Sequence, residues 1–258
     1  MKLLAEALED TIRTVPFNTF RNVLLAAGEE SPTALGGNCR YQLQVLNDKI
    51  GNGSLQYIQA PKSPHFTGIV ESDNGIFLLD PTLLTCEPVN IESVLTGTKS
   101  SIVANAFPFV KGKPSRVIVM KKTPEEGTGV NTINVMKQRI VGNRYALEKD
   151  WELDLDQRHS ELPPETVVHK MTIESGIVVI RVLMPDSSIH EIRQKVGEPR
   201  KTTAKIGGPN DFSRYTEHER IAFAAIISSI NAQTKVRTSV ILECIDKATR
   251  LYPRISFP

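Results

Sequence analysis

The sequence predicts an α+β protein, on three observations. Apolar residues recur at helical spacing through the first fifty residues, short β-branched runs punctuated by Gly, Pro, Asn and Asp fill the middle, and strands followed by two helical stripes close the chain. Helical and strand patterns are segregated rather than alternating, which favours antiparallel pairing.

The elements follow in order. Leu3, Leu4, Ala7, Leu8 and Ile12 fall on one side of a helix over residues 3–13 that Pro16 ends. A second helix is expected over residues 17–25, closed by Gly28 and the breaker Ser31-Pro32. Gly36-Gly37-Asn38-Cys39 forms a turn that opens a third helix, with Leu43, Leu46 and Ile50 on one face until Gly51. The pattern changes after Gly51-Asn52-Gly53-Ser54, so residues 1–54 read as a helical module.

Residues 55–165 read as a β module. Ile69-Val70, Ile76–Leu79, Ser101–Val103, Val117–Met120 and Thr132–Val135 are strand-like runs whose spacing suggests an antiparallel sheet or small barrel. Residues 145–165, which carry the only tryptophan, Trp151, are expected to be a connector with some helical character. Residues 166–258 read as an α/β module. It has strands Val167–Met171 and Ile177–Val182, a polar loop near 198–213, and two helices. Thr216 and Glu219 have capping-box spacing before Phe223, Ile226, Ile227 and Ile230, while Ile241, Cys244, Ile245 and Ala248 stripe the last helix.

Composition narrows the function classes. A net charge of +2 argues against general nucleic-acid or membrane-surface binding. No run approaches a membrane span, and Glu6, Glu9 and Asp10 interrupt what would be the apolar core of a secretory signal. Cysteines at 39, 86 and 244 form no framework of spaced pairs and suit a reducing cytoplasm. No Cys/His group has metal-ligand spacing, so no metal site is expected.

Cys39 is the candidate nucleophile. At a helix N-terminus, unpaired backbone N–H groups and the positive end of the macrodipole favour thiolate over thiol. A nucleophilic cysteine also needs a base and a group that orients the base. His65 and Asp80 supply both in one predicted hairpin, whose strands meet at Asp73-Asn74-Gly75. An even-numbered loop pairs residues whose numbers sum to an odd value such as 147, which sets Asp80 opposite Thr67 on the same face as His65. An odd-numbered loop would set the two on opposite faces.

At these residues the chain resembles the arylamine N-acetyltransferase family. Val15-Pro16-Phe17-Asn18 is similar to the family's Ile-Pro-Phe-Glu-Asn, and Gly36-Gly37-Asn38-Cys39 resembles its Arg-Gly-Gly-Tyr-Cys-Phe-Glu box. His65 and Asp80 stand where the family has its His and Asp, and the likeness covers about residues 10–85. The resemblance implies a cysteine-protease-like fold, with Cys39 on a helical module, His65 and Asp80 on a β-barrel, and a C-terminal α/β lid. It also implies a Cys-His-Asp triad with ping-pong transfer through a Cys39 thioester. The donor would be an acyl-CoA or an acyl carrier protein, and the acceptor a small-molecule amine, hydrazine or hydroxyl. No cofactor would stay bound. Leu35 and Tyr41 replace the family's paired Arg and Glu, a loss of both charges that reads as coordinated change, since losing one would leave the other unpaired. Pro81-Thr82-Leu83-Leu84 lacks the glycines that lie beside coenzyme A in the family, so the cofactor-binding residues are not carried over.

Two other function classes fit the same residues. One is a transglutaminase-like or hydrolytic cysteine enzyme acting on amides, and the other is a catalytically inactive binding protein on the same scaffold. Cys244 is read as core and Cys86 as packing close to Asp80. His159, His169, His190 and His218 are read as surface or strand residues. The basic segment Lys111–Arg116, with Lys121 and Lys122, is a charged strand edge that could receive a phosphate or an acidic carrier protein. Phe107 and Phe109 could wall an acceptor pocket or serve the core.

Overall fold

Breaker-free stretches at the start of the chain become helices, as expected: α1 spans Lys2–Thr14, α2 Phe20–Ala26 and α3 Cys39–Ile50. The computed structural model describes residues 1–51, 53–61, 63, 65–110, 112–122, 131–162, 177–195, 202–207 and 219–252. Among them are six α-helices and three antiparallel sheets, an α+β architecture. Contacts divide the chain into two units, Met1–Thr11 with Leu43–Pro163 and Ile12–Gln42 with Pro164–Pro258.

In the first unit, strands β2 (Gln56–Gln59), β3 (Phe66–Ser72), β4 (Gly75–Leu79) and β5 (Val89–Asn90) join β10 (Arg158–His159) in a sheet of order β10-β2-β3-β4-β5. The short helix α4 (Glu92–Leu95) leads to a meander of long strands. These are β6 (Ser101–Val110), β7 (Lys113–Lys121), β8 (Thr132–Val141) and β9 (Arg144–Asp154), hydrogen-bonded in sequence order. No closed barrel forms among the described residues. The two sheets stay open, and their inner faces share one core of Ile58, Ile69, Leu78, Val117, Val119, Ile133, Val135, Trp151 and Leu153. Antiparallel sheets of four or five strands bury one face simply by packing on each other, so closure is not required to form the core.

Residues 144–154 are not a connector but the eleven-residue edge strand β9. Asp150-Trp151-Glu152-Leu153-Asp154-Leu155 alternates charged and apolar side chains, the period of a half-buried strand, and Trp151, Leu153 and Leu155 all point into the core.

In the second unit, β1 (Phe17–Asn18), β11 (Ile177–Leu183), β12 (Ile189–Lys195) and β13 (Thr202–Gly207) form a four-stranded sheet in that order. Helices α5 (Glu219–Thr234) and α6 (Thr238–Leu251) pack with α2 against it around Phe20, Val23, Leu24, Leu35, Ile180, Ile226 and Ile245. Phe17-Asn18 was expected to be helical; instead it pairs with Arg181-Ile180, and the helix begins at Phe20. Asn18 explains the shift: its Oδ1 accepts from the Phe20 and Arg21 N–H groups, ending the strand and starting the helix. The expected strand 167–171, most of the polar loop 198–213, Thr216, His169, His218 and Lys111 lie outside the described residues.

One buried charge cluster stiffens this sheet. Glu191, 1% exposed, accepts from Arg181 at 2.7 and 2.8 Å and pairs also with Arg193. Burial alone would push its carboxyl up, but the two guanidinium groups outweigh that and hold it below the ordinary value.

Candidate functional site

Two regions carry the candidate residues, one in each unit. In the second unit, the turn before α3 is docked by main-chain bonds. Asn18 N–H donates to the Gly37 carbonyl at 2.8 Å, Gly37 N–H to the Pro16 carbonyl at 3.2 Å, and the Asn18 amide to the Leu35 carbonyl at 3.0 Å. Gly36 has φ 73° and ψ −152°, a region that is essentially glycine-only, and a Cβ there would lie 2.0 Å from the Pro16 oxygen. A Cβ on Gly37 would lie 2.6 Å from that of Tyr41. The Pro-Phe-Asn and Gly-Gly-Asn-Cys motifs are therefore two halves of one turn.

Asn38 then starts the helix. Its Oδ1 accepts from Tyr41 N–H at 3.2 Å, its amide donates to Asn22 Oδ1 at 3.1 Å, and Cys39 becomes the first helical residue. The thiol is buried, 6% exposed, at the end of a twelve-residue helix where the macrodipole is positive. Leu35 is packed in the core, and the Tyr41 ring lies 4.4 Å under the Arg21 guanidinium.

In the first unit, the hairpin register is the one the loop length dictates. Ser72 pairs with Gly75, Ile69 with Leu78 and Gly68 with Leu79, so partner numbers sum to 147 across the two-residue loop Asp73-Asn74. His65 and Asp80 meet as a consequence, with Nε2 2.6 Å from Oδ2. Both side chains are buried, at 6% and 1% exposure. The other carboxylate oxygen, Oδ1, accepts from the Thr82 and Leu83 N–H groups at 2.9 and 3.4 Å, capping the turn Pro81–Leu83. Asp80 is thereby fixed by backbone on one oxygen and directed at the imidazole with the other. The His65 carbonyl accepts from Ala60 N–H at 2.9 Å, holding the backbone from the other side.

Trp151 completes this corner. Its ring stacks on the His65 imidazole at 3.9 Å between centroids and 13° between planes. Sequence reasoning missed it because residues 145–165 read as a connector; the charged-apolar alternation around Trp151 was the available signal. Trp151 also borders a cavity of about 200 Å³ lined by Ala60, Ser63, Asn134, Asp150 and Glu152.

The remaining candidates take other work. The Cys244 thiol packs beside the second core and is pushed up by burial. The Cys86 N–H donates to the Asn105 carbonyl. His190 Nδ1 lies 3.0 Å from Ser229 Oγ, and burial lowers its basicity. Among the basic residues, Arg116 bonds Gln138 and stacks on Tyr145, Lys121 donates to the Leu95 carbonyl, and Lys122 pairs with Glu152. Phe107 and Phe109 stack on each other at 5.3 Å. No group of three His, Cys, Asp or Glu able to hold a metal occurs among the described residues, and no helix among them is long and apolar enough to cross a membrane.

An imidazole bound to a carboxylate can act as a base, and a thiol at a helix N-terminus can act as a nucleophile. Comparison of the chain with protein-family models, with curated proteins and with solved structures finds no match.

Proposed function

We propose that the protein is an acyltransferase in which Cys39, His65 and Asp80 act as a catalytic triad. The observation that carries the reading is the buried 2.6 Å bond between His65 and Asp80, in a chain whose buried thiol opens a helix. A fixed carboxylate orients the imidazole for proton transfer through its other nitrogen.

The chemistry runs in two half-reactions. His65 takes the Cys39 proton, the thiolate attacks the carbonyl of an acyl thioester, and the tetrahedral intermediate expels the donor thiolate, which receives that proton from His65. An amine then attacks the Cys39 thioester. It loses a proton to His65, the Cys39 thiolate departs, and the proton returns to the sulfur. Asp80 stabilises the imidazolium in both halves, and backbone N–H groups at the start of α3 would hold the oxyanion. An acyl-CoA or acyl carrier protein is the expected donor class and a small amine the acceptor class. The likeness to arylamine N-acetyltransferases supports this through residues 10–85.

Incubation with a panel of acyl thioesters and no acceptor, read by intact-protein mass, tests the reading. The expected result is one acyl increment on Cys39, absent from Cys39→Ala and discharged by added amine. Ammonia or free acid released from amide substrates, with no thioester used, would instead mark the hydrolytic alternative.

A further inference from the structure

We infer that Trp151 is the positioning residue of the His65 base: its indole face fixes the plane of the imidazole and keeps water off the bond to Asp80. The inference rests on the triad reading for its catalytic meaning, but the contact belongs to the first unit alone.

A 2.6 Å bond at Nε2, added to the Cβ tether, fixes the ring along one line and leaves the tilt of its plane about that line to be set. A parallel ring face removes that freedom, and Trp151 lies at 3.9 Å and 13°. The indole is itself held on the inner face of β9, with Val135 beside it in register and Leu153 two residues on, so it can transmit the sheet's rigidity to the ring. The three groups are all buried, His65 at 5%, Asp80 at 1% and Trp151 at 9% exposure. A dry environment strengthens the charge pair formed whenever His65 takes up a proton, and an aromatic face attracts the imidazolium.

Trp151 is the only tryptophan of the chain, so its emission reports on this one contact. An imidazolium in van der Waals contact quenches an excited indole more than the neutral ring does. Wild-type emission should therefore fall in one step as His65 is protonated, and His65→Gln should abolish the step. That control matters because Asp150 and Glu152 flank the indole in the strand. In the proton NMR spectrum, the far-downfield resonance of the imidazole N–H facing Asp80 should be present in the wild type and in Trp151→Phe. In Trp151→Leu it should be lost to solvent exchange while the amide spectrum stays folded.

A resonance that persists in Trp151→Leu, or emission whose pH dependence is the same in His65→Gln, would overturn the inference. Should Trp151→Leu fail to fold, the emission titration of wild type against His65→Gln decides alone. Failure of the triad reading looks different. Cys39 reactivity would then be indifferent to His65, while the resonance and the emission step would be unchanged.

Discussion

The Cys39 turn and the His65–Asp80 corner are built by opposite means. Main-chain bonds between Asn18 and Gly37 and between Gly37 and Pro16, with the Asn18 side-chain amide on the Leu35 carbonyl, hold the thiol's turn, and its glycines leave no room for a Cβ. The corner is held by side chains: a carboxylate split between backbone and imidazole, and an indole laid on the ring. Each is therefore broken in its own way. Substitution at the turn should be felt as lost stability, because the backbone itself must move, whereas substitution at the corner can change chemistry with the fold left standing.

The largest stability effect is expected beneath the turn. Phe17 pairs with Arg181 in the sheet, and Arg181 is held by buried Glu191. Removing one partner of a buried ion pair costs about 3–5 kcal/mol, and because the Arg181 and Arg193 side chains are 13% and 36% exposed, Glu191→Ala should lower the denaturant midpoint by the equivalent of the low end of that range. The same carboxyl gives a pH signature. Its folded value lies below the ordinary 4.5, so its stabilising contribution is present above that pH and is lost as pH falls through the folded value. Stability of the wild type should decline on acidification below about 4.5, and that component should be missing from Glu191→Ala.

Gly36→Ala comes next. A side chain in a glycine-only backbone region costs about 1–3 kcal/mol, and the contact with the Pro16 oxygen adds to it, so a loss near the upper end of that range is expected by thermal or urea unfolding. Asp80 separates the two kinds of construction within one residue. Asp80→Ala removes both the cap and the imidazole bond and should lose about 1 kcal/mol more stability than Asp80→Asn, which can keep the cap through its amide oxygen. The smallest effect belongs to Tyr41→Leu, which loses the Arg21 cation–π contact and about 0.5–1 kcal/mol, whereas Tyr41→Phe should keep most of it.

Local and non-local rules divide what the sequence disclosed from what it hid. Helix α3 was legible because the Gly36-Gly37 turn opens it and Leu43 and Leu46 recur on one face, whereas the Asn38 cap came only with the structure. The meeting of His65 with Asp80 was legible only on the condition of an even-numbered loop, since loop length fixes register by counting, and the two-residue loop meets that condition. Strand β1 was not: two residues that favour a helix by their neighbours pair instead with Ile180 and Arg181, more than 160 positions away. Barrel or open sheets is equally a question of which edges meet, and edge pairing leaves no local trace. Trp151 falls between the cases, since its strand period was on the page but the many charges around it pointed to a connector.

The central claim, that His65 and Asp80 serve Cys39 as one device, is tested most directly by the rate at which iodoacetamide alkylates Cys39 at neutral pH. The rate should be measured in the wild type, His65→Asn, Asp80→Asn and the double variant. An unassisted thiol is only a few per cent ionised there, so losing the base should slow alkylation about tenfold or more. Residues acting as a unit are non-additive, so the double variant should be no slower than His65→Asn alone. Four equal rates, all those of an ordinary thiol, would contradict it.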